Sequence, residues 1–251
     1  MNIDAILSPA ELPALGKRDL RNTCCVVFDV LRATSTFVTA LHHGAKAVVP
    51  VSEIAEALAL RQKQPDVLIG GERDGIKIRG AQTGGIDFDL GNSPREYTPA
   101  KVGGKTIVST TTNGTRALRA GADAQTILAA SFLNLSATAQ FIRQRKLEDI
   151  LLVCAGTREN IATEDVLAAG ALGEMLLAHA GGCEVANPAE TALNTWRKAR
   201  PNLLAAISEA ENARRLLAIP ELRDDVAFCL QPDVFNFAAG LGRDGAIRVL
   251  I

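Results

Sequence analysis

Continuous apolar runs alternate with amphipathic stretches along the whole of this 251-residue chain. Residues 24–30, CCVVFDV, have the near-unbroken apolar character of a strand buried on both faces. A Thr/Ser-rich loop follows, then TFVTALHHGA, helical in period and closed by Gly44. KAVVPV reads as a second strand, and Ser52 is placed to cap a helix over EIAEALALRQ, with Glu56 near the capping-box offset. DVLIGGER, GKTIVST, AQTILAA and DILLVCAG read as further strands. RALRAGA, SFLNLSATAQFIRQRK (with Ser131 as its cap) and TEDVLAAGALGEMLLAHAG read as the helices between and after them. Residues 192–219 carry one or two more helices, interrupted near Pro201, and DDVAFCL and AIRVLI are expected as closing strands. Such regular alternation predicts a three-layer α/β/α fold with a largely parallel or mixed sheet, in a single domain over 1–251.

Two segments modify that picture. Residues 70–104 are rich in glycine and charge, and a loop of that length in a compact domain is usually functional or disordered. Residues 26–57 and 106–137 share one plan: strand, Thr/Ser loop, short helix, Gly-Ala, strand, Ser, helix. Each places an arginine near its loop, Arg32 and Arg116, so two pseudo-symmetric halves are an alternative to a chance likeness of two βαβ units.

Composition narrows the functional classes. The hydrophobic share is 47% and the aromatic share 4%, which asks for a core of Ala, Leu, Val and Ile. With 27 basic and 28 acidic residues the net charge is −1, so neither nucleic acid nor a membrane surface is an expected partner. Five cysteines lack C-x-x-C spacing and sit mostly in apolar runs, as reduced buried thiols do. No signal-peptide pattern or membrane-length apolar run occurs, and a cytoplasmic location is expected.

Familiar phosphate and metal devices are absent. GGKT at 103–106 has a Walker-like ending, but Pro99 stands where the first glycine is needed. No cysteine has an arginine six residues on, and Asp29 is followed by Val30 and Leu31 rather than by a second acid. His42, His43 and His179 form no zinc-binding pair. Polar residues at strand ends remain, where α/β sheets bind ligands. FDVLRATST supplies Asp29, Arg32, Thr34 and Ser35. STTTNGTR supplies Thr110, Thr111, Thr112, Asn113 and Gly114 leading into a helix, more hydroxyls than one cap requires, and so a candidate phosphate site. Asp29, Glu72, Glu164 and Asp165 each follow or border an apolar strand, where a carboxylate is costly unless paired, solvated or bound to a cation. Oxygen ligands of this kind suit Mg²⁺. Each acid taken alone also has an ordinary reading, as a loop charge or a helix first-turn acid.

The strings DVLRATST, GER-G, DLGNSPREY, TTTNGTRAL, CAGT-EN-ATEDVLAAG and DDVAFCLQPD, in that order over about residues 24–235, resemble the 2-phosphosulfolactate phosphatase family. The resemblance implies a Mg²⁺-dependent phosphatase with its own α/β fold. It would hydrolyse 2-phospho-3-sulfolactate to 3-sulfolactate and phosphate, on a route to coenzyme M. The matching positions are Asp29, Arg32, Thr34 and Ser35; Glu72 and Arg73; Asn92 and Ser93; Thr110 through Gly114 with Arg116; and Gly156, Thr157, Glu164 and Asp165. On this reading Asp29, Arg32 and Arg116 serve catalysis. Thr34, Ser35, Arg73, Ser93, Thr110, Thr111, Thr112, Asn113, Gly114 and Thr157 hold the phosphoester. Asp29, Glu72, Glu164 and Asp165 hold Mg²⁺. Arg32, Arg73, Arg95, Arg116 and Arg158 are the cations available to a small polyanionic substrate. A homodimer is allowed for. Residues 81–88, AQTGGIDF, make a longer connection than the family's usual one, which puts substrate preference in doubt. A phosphatase for another phospho-2-hydroxy acid and a non-catalytic anion-binding protein are the alternatives.

Overall fold

The structure is a computed structural model that describes residues 1–179 and 181–250. Strand β1 (Asn2–Ile6) and helix α1 (Leu12–Leu15) precede a first alternating series: β2 (Thr23–Phe28), α2 (Ala33–His42), β3 (Ala47–Val51), α3 (Ile54–Lys63) and β4 (Leu68–Arg73). A short strand β5 (Ile76–Lys77) and the single-turn helices α4 (Gly80–Thr83) and α5 (Pro99–Val102) lead to a second series. That series is β6 (Thr106–Thr110), α6 (Gly114–Ala120), β7 (Thr126–Ala130), α7 (Leu135–Gln144) and β8 (Asp149–Cys154). The rest is α8 (Thr163–Leu177), β9 (Glu184–Val185), α9 (Asn187–Ala199), α10 (Leu203–Ser208), α11 (Glu211–Leu217), α12 (Arg223–Cys229), β10 (Ala238–Leu241) and β11 (Ile247–Leu250).

The strands form one sheet in the order β5-β4-β6-β3-β11-β10-β7-β2-β8-β1-β9. β4, β6 and β3 are mutually parallel, as are β7, β2, β8 and β1. The hairpin β10–β11 joins the two sets through three successive antiparallel pairings, so the sets run in opposite directions. β3, β6 and β4 on one side of the hairpin match β7, β2 and β8 on the other, in order outward.

Side chains two apart on a strand share a face, and the core follows that rule. Cys25 and Val27 pack with Leu12, Phe37, Val38, Ala117 and Leu118, which places α1, α2 and α6 in one layer. Cys24, Val26 and Phe28 face the other way, onto Leu135 and Ile142 of α7, Leu167 and Leu172 of α8 and Ala189 of α9. Beyond the hairpin, Ile69 and Val108 pack on Ala57 of α3. The fold is thus three-layered, with a mixed, mostly parallel sheet. β2 is apolar towards both outer layers because both cover it. Leu128 of β7 is fully buried in the same cluster as Val26 and Phe28, and Leu128→Ala is expected to cost about 2–5 kcal/mol.

The structure corrects several local expectations. DDVAFCL is the helix α12, not a strand. Its buried positions Asp225, Val226 and Cys229 have helical spacing, and Asp224 and Asp225 sit in the first turn, where acids suit the helix dipole. Ser52 does not cap α3, which begins at Ile54 with Glu53 in the cap position; the Ser52 hydroxyl accepts from Arg119 instead. At Ser131 the backbone N–H donates to Asn134 Oδ1, and a 3₁₀ turn (Phe132–Asn134) precedes α7. β1 and β10 lie outside the strands expected from sequence, because each is only four or five residues long with little periodicity. The break at Pro201 separates α9 from α10. Ala180, at the end of one predicted helix, and Ile251, at the end of one predicted strand, lie outside the described residues. Among the described residues no helix is long and apolar enough to cross a membrane.

Candidate active site

Residues at the C-terminal ends of strands from both sets meet in one narrow polar cleft. Asp29 follows β2, Glu72 lies near the end of β4, Thr112 and Asn113 follow β6, and Thr157 and Arg158 follow β8. Arg32, Asp74, Gly75, Asn92 and Arg215, with the apolar Leu31 and Leu216, complete its lining. A larger open cavity of about 690 Å³ runs past Arg21, Glu56, Arg119, Asp123 and Asp244. It is lined by none of the buried acids, whereas Asp29 and Glu72 line the smaller cleft; Glu164 and Asp165 lie behind that lining, close enough to Asp29 for their charges to interact.

Four buried carboxylates crowd this region: Asp29, Glu72, Glu164 and Asp165. Burial raises Asp29 to about 7; the N–H of Ala33 on its Oδ1 opposes the rise, and the charges of Glu72 and Glu164 add to it. Burial, then the charges of Glu164 and Asp29, push Asp165 well above the ordinary carboxylate range. Burial also raises Glu164, against the hydrogen bond from Asn212. Each acid disfavours ionisation of its neighbours, a balance that a bound cation reverses.

The four differ in how their oxygens are used. Asp165 accepts from Val30 N–H (2.8 Å) and Gly156 N–H (3.0 Å), one on each oxygen, and so ties the β2 loop to the β8 loop. Glu72 Oε1 accepts from the Thr112 N–H and hydroxyl, and its Oε2 from Gly75 N–H at 2.6 Å. Glu164 Oε1 accepts from Asn212 at 2.7 Å, while its Oε2 is buried with no hydrogen-bond partner. Asp29 Oδ2 stands over α6 at Gly114, where a Cβ would come within 2.6 Å of it. Only glycine admits that approach.

Among the described residues no three His, Cys, Asp or Glu side chains form a metal cage. Mg²⁺ does not require one, since it typically takes one or two carboxylates and completes its shell with water and substrate oxygens. Glu164, with a buried oxygen lacking any partner, fits that need most openly. Asp29, held by the N–H groups of Ala33 and Gly114 and near enough to feel the charge of Glu164, is the second candidate, whereas Asp165 and Glu72 have both oxygens engaged by donors from the loops they tie together.

The predicted phosphate loop is self-satisfied to a degree that hydroxyl counting does not foresee. Thr110 donates to Ser52 O and accepts from Arg73. Thr111 accepts from Thr115 N–H, and Thr112 is on Glu72. Thr34 and Ser35 bond the backbone at Asp29 and Val30. These hydroxyls shape the loops, and of the set only Thr112, Asn113 and Thr157 line the cleft. Gly114 contributes by its lack of a side chain. Arg73 is held by Glu72 O, Ser52 O and Thr110, away from the cleft. Arg116 pairs with Glu159 at 3.0 Å on the exposed surface and does not line the cleft. Arg95 lies against Asp224 and Asp225. Ser93 donates to Asp225 Oδ1, behind the cleft. Residues 81–88 contribute nothing to the lining, so the longer connection is separated from the site.

Arg32 is buried in the cleft wall, with one nitrogen on Asp225 (2.8 Å) and another on Gly75 O (2.6 Å). Asp225, Asn212 and Arg215 were not assigned from sequence. They sit on α11 and α12, in segments (ENARRLL, DDVAFC) whose pattern is that of ordinary amphipathic helix. Asp225 does lie within DDVAFCLQPD, one of the matching strings.

The family model described as 2-phosphosulpholactate phosphatase matches residues 10–241. The chain belongs to that family. A relative from Caldanaerobacter subterraneus subsp. tengcongensis is 39% identical over 237 residues, 94% of each chain. One from Thermotoga petrophila is 44% identical over 211 residues, 84% of this chain and 86% of its own. One from a Synechococcus species is 36% identical over 255 residues, 99% of this chain and 100% of its own. All three carry the name "probable 2-phosphosulfolactate phosphatase". The family match covers β2, β3, β4, β6, β7 and β8 and helices α11 and α12, leaving out β1, and hence includes every residue of the cleft described above.

Proposed function

We propose that this protein is a Mg²⁺-dependent phosphomonoesterase that hydrolyses 2-phospho-3-sulfolactate to 3-sulfolactate and phosphate, a step on a route to coenzyme M. Family membership supports the reaction and the substrate. The observation that supports the metal is the partnerless, buried Glu164 Oε2 within a cluster of acids that includes Asp29. Free thiols at all five cysteines suit a reducing, cytoplasmic setting.

Bound at Asp29 and Glu164, Mg²⁺ would supply Lewis-acid stabilisation of charge on the phosphoryl oxygens. The chain supplies orientation around that position. Ala33 N–H holds one Asp29 oxygen, and the other lies against Gly114, whose N–H also acts on the carboxylate, so Asp29 is fixed at the cleft wall. Asn212 holds Glu164 Oε1 and bridges it to Thr157. Thr112 and Gly75 fix Glu72, which keeps the β4 and β6 loops at a set distance. Arg32 has its charge balanced by Asp225 and serves as a rigid wall rather than a free anion receptor.

The test is phosphate release from 2-phospho-3-sulfolactate by purified protein, with Mg²⁺ and after chelation. Turnover that disappears on chelation and returns with Mg²⁺ is expected. Turnover indifferent to chelation would remove the metal from the account, and absence of turnover on this ester would remove the substrate.

A further inference from the structure

Three arginines reach the cleft, and their situations differ. Arg32 is neutralised by Asp225, with both side chains fully buried, and its other nitrogen is on Gly75 O. Arg158 pairs with Asp74 at 3.2 Å on the exposed rim. Arg215 makes no ion pair among the described residues. One of its terminal nitrogens donates to the neutral amide of Asn212 at 3.1 Å, and its Nε is buried without any hydrogen-bond partner. A buried guanidinium N–H without an acceptor costs free energy unless something fills the position.

The surroundings hold this guanidinium in place. Its flank lies on Gly75, where a Cβ would stand 3.5 Å from Nε and 3.7 Å from Cζ. Gly75 is itself fixed at φ +80°, by its N–H on Glu72 and its carbonyl on Arg32. Asn212, which orients one edge of Arg215, is in turn anchored on Glu164 and Thr157. The result is a planar cation with an unpartnered donor, lining the same cleft as Asp29 and close enough to Glu164 for their charges to interact. A planar fork of N–H donors suits an oxyanion, bound through two of them at once.

We propose that Arg215 is the oxyanion-receiving residue of the cleft, binding a charged oxygen group of the substrate through Nε and an adjacent terminal nitrogen. This rests on the phosphomonoesterase reading only for the nature of the ligand. A phosphosulfolactate-like ester offers the oxyanion from two sources, its phosphoryl group and its carboxylate or sulfonate arm, and the experiment separates them.

Binding of inorganic phosphate and of 3-sulfolactate, each in the presence of Mg²⁺, is measured by calorimetry on wild type, Arg215→Met and Arg215→Lys. Loss of a charge-assisted contact predicts at least about tenfold weaker binding of one or both anions by Arg215→Met. Arg215→Lys, which keeps charge without the fork, should recover part of it. Weakening of phosphate alone assigns the phosphoryl group to Arg215, and weakening of 3-sulfolactate alone assigns the acid arm. The relative loss of the two anions is read in one sample, and melting curves report folding. Binding of both anions within twofold of wild type in Arg215→Met overturns the proposal, as does a wild type that binds neither. A wild type that binds both but leaves phosphosulfolactate intact refutes the substrate reading without touching this one.

Discussion

Gly114 shows how closely single residues set this site. A methyl group there would stand 2.6 Å from Asp29 Oδ2 and 2.7 Å from the Ala33 Cβ, so Gly114→Ala must displace the loop that presents the carboxylate. Overpacking of this kind costs about 1–3 kcal/mol. That lowers the melting temperature by roughly 2–10 °C for a chain of this length, and we expect kcat/KM to fall at least about tenfold as Asp29 moves. Thr112 and Arg116 make a contrasting pair. Thr112→Val removes one of the donors that hold Glu72 and should lower kcat/KM about tenfold. Arg116→Met removes a half-exposed surface pair, worth at most about 1 kcal/mol, and should change kcat/KM less than about threefold. Steady-state kinetics on the two variants decides between loop-positioning hydroxyls and the arginine that sequence favoured; equal losses would return Arg116 to the site.

At the scale of elements, α11 adds Arg215 and Leu216 to a cleft built by the loops after β2, β4, β6 and β8, and α12 backs Arg32 through Asp225. They bring Asn212, Arg215 and Asp225 to residues more than a hundred positions upstream or about fifty away. Asp225 is the counter-charge of buried Arg32 and also accepts from Ser93. Asp225→Ala leaves Arg32 charged and uncompensated, and is expected to destabilise by about 3–5 kcal/mol, read as a shift in the urea midpoint. A shift below about 1 kcal/mol would show that Arg32 finds water or another acid. These helices were the least legible part of the site. Apolar strands such as CCVVFDV and DILLVCAG announce themselves by near-continuous burial. DDVAFCL, with an unbroken apolar run over 226–230, mimics a buried strand, while its buried acid betrays helical spacing only once the fold is known. Arg215, in ENARRLL, carries no local sign at all, because its role depends on Gly75 and Asn212 lying against it.

At the scale of the whole molecule, two oppositely running parallel sets meet across the β10–β11 hairpin, and the cleft draws on strand ends from both. The α/β class and most of its strands were legible from hydrophobic runs, as were the four acids. The antiparallel join was not, since it depends on a C-terminal hairpin inserted between strands read eighty or more residues earlier. Gathering acids from both sets has a consequence for pH. Asp29 is raised from 3.8 to about 7 in the folded protein, so the folded state keeps its proton where the unfolded chain has lost it. Without metal, stability from this group is fully present below about pH 4 and is lost as pH climbs towards 7. The melting temperature of Asp29→Asn should therefore gain on wild type by roughly 5 °C or more between pH 4 and pH 7.5 without Mg²⁺, and saturating Mg²⁺ should erase the gain. A gap that is flat with pH would mean that Asp29 is not held protonated by its surroundings.

The central claim, that Asp29 helps hold the metal on which phosphate release depends, is tested most directly by titrating Mg²⁺ against turnover of 2-phospho-3-sulfolactate for wild type and Asp29→Asn. The account predicts that the variant needs at least about tenfold more Mg²⁺ for half-maximal rate, and that its maximal rate falls on the order of a hundredfold. A variant that reaches the wild-type rate at the wild-type Mg²⁺ concentration would contradict it.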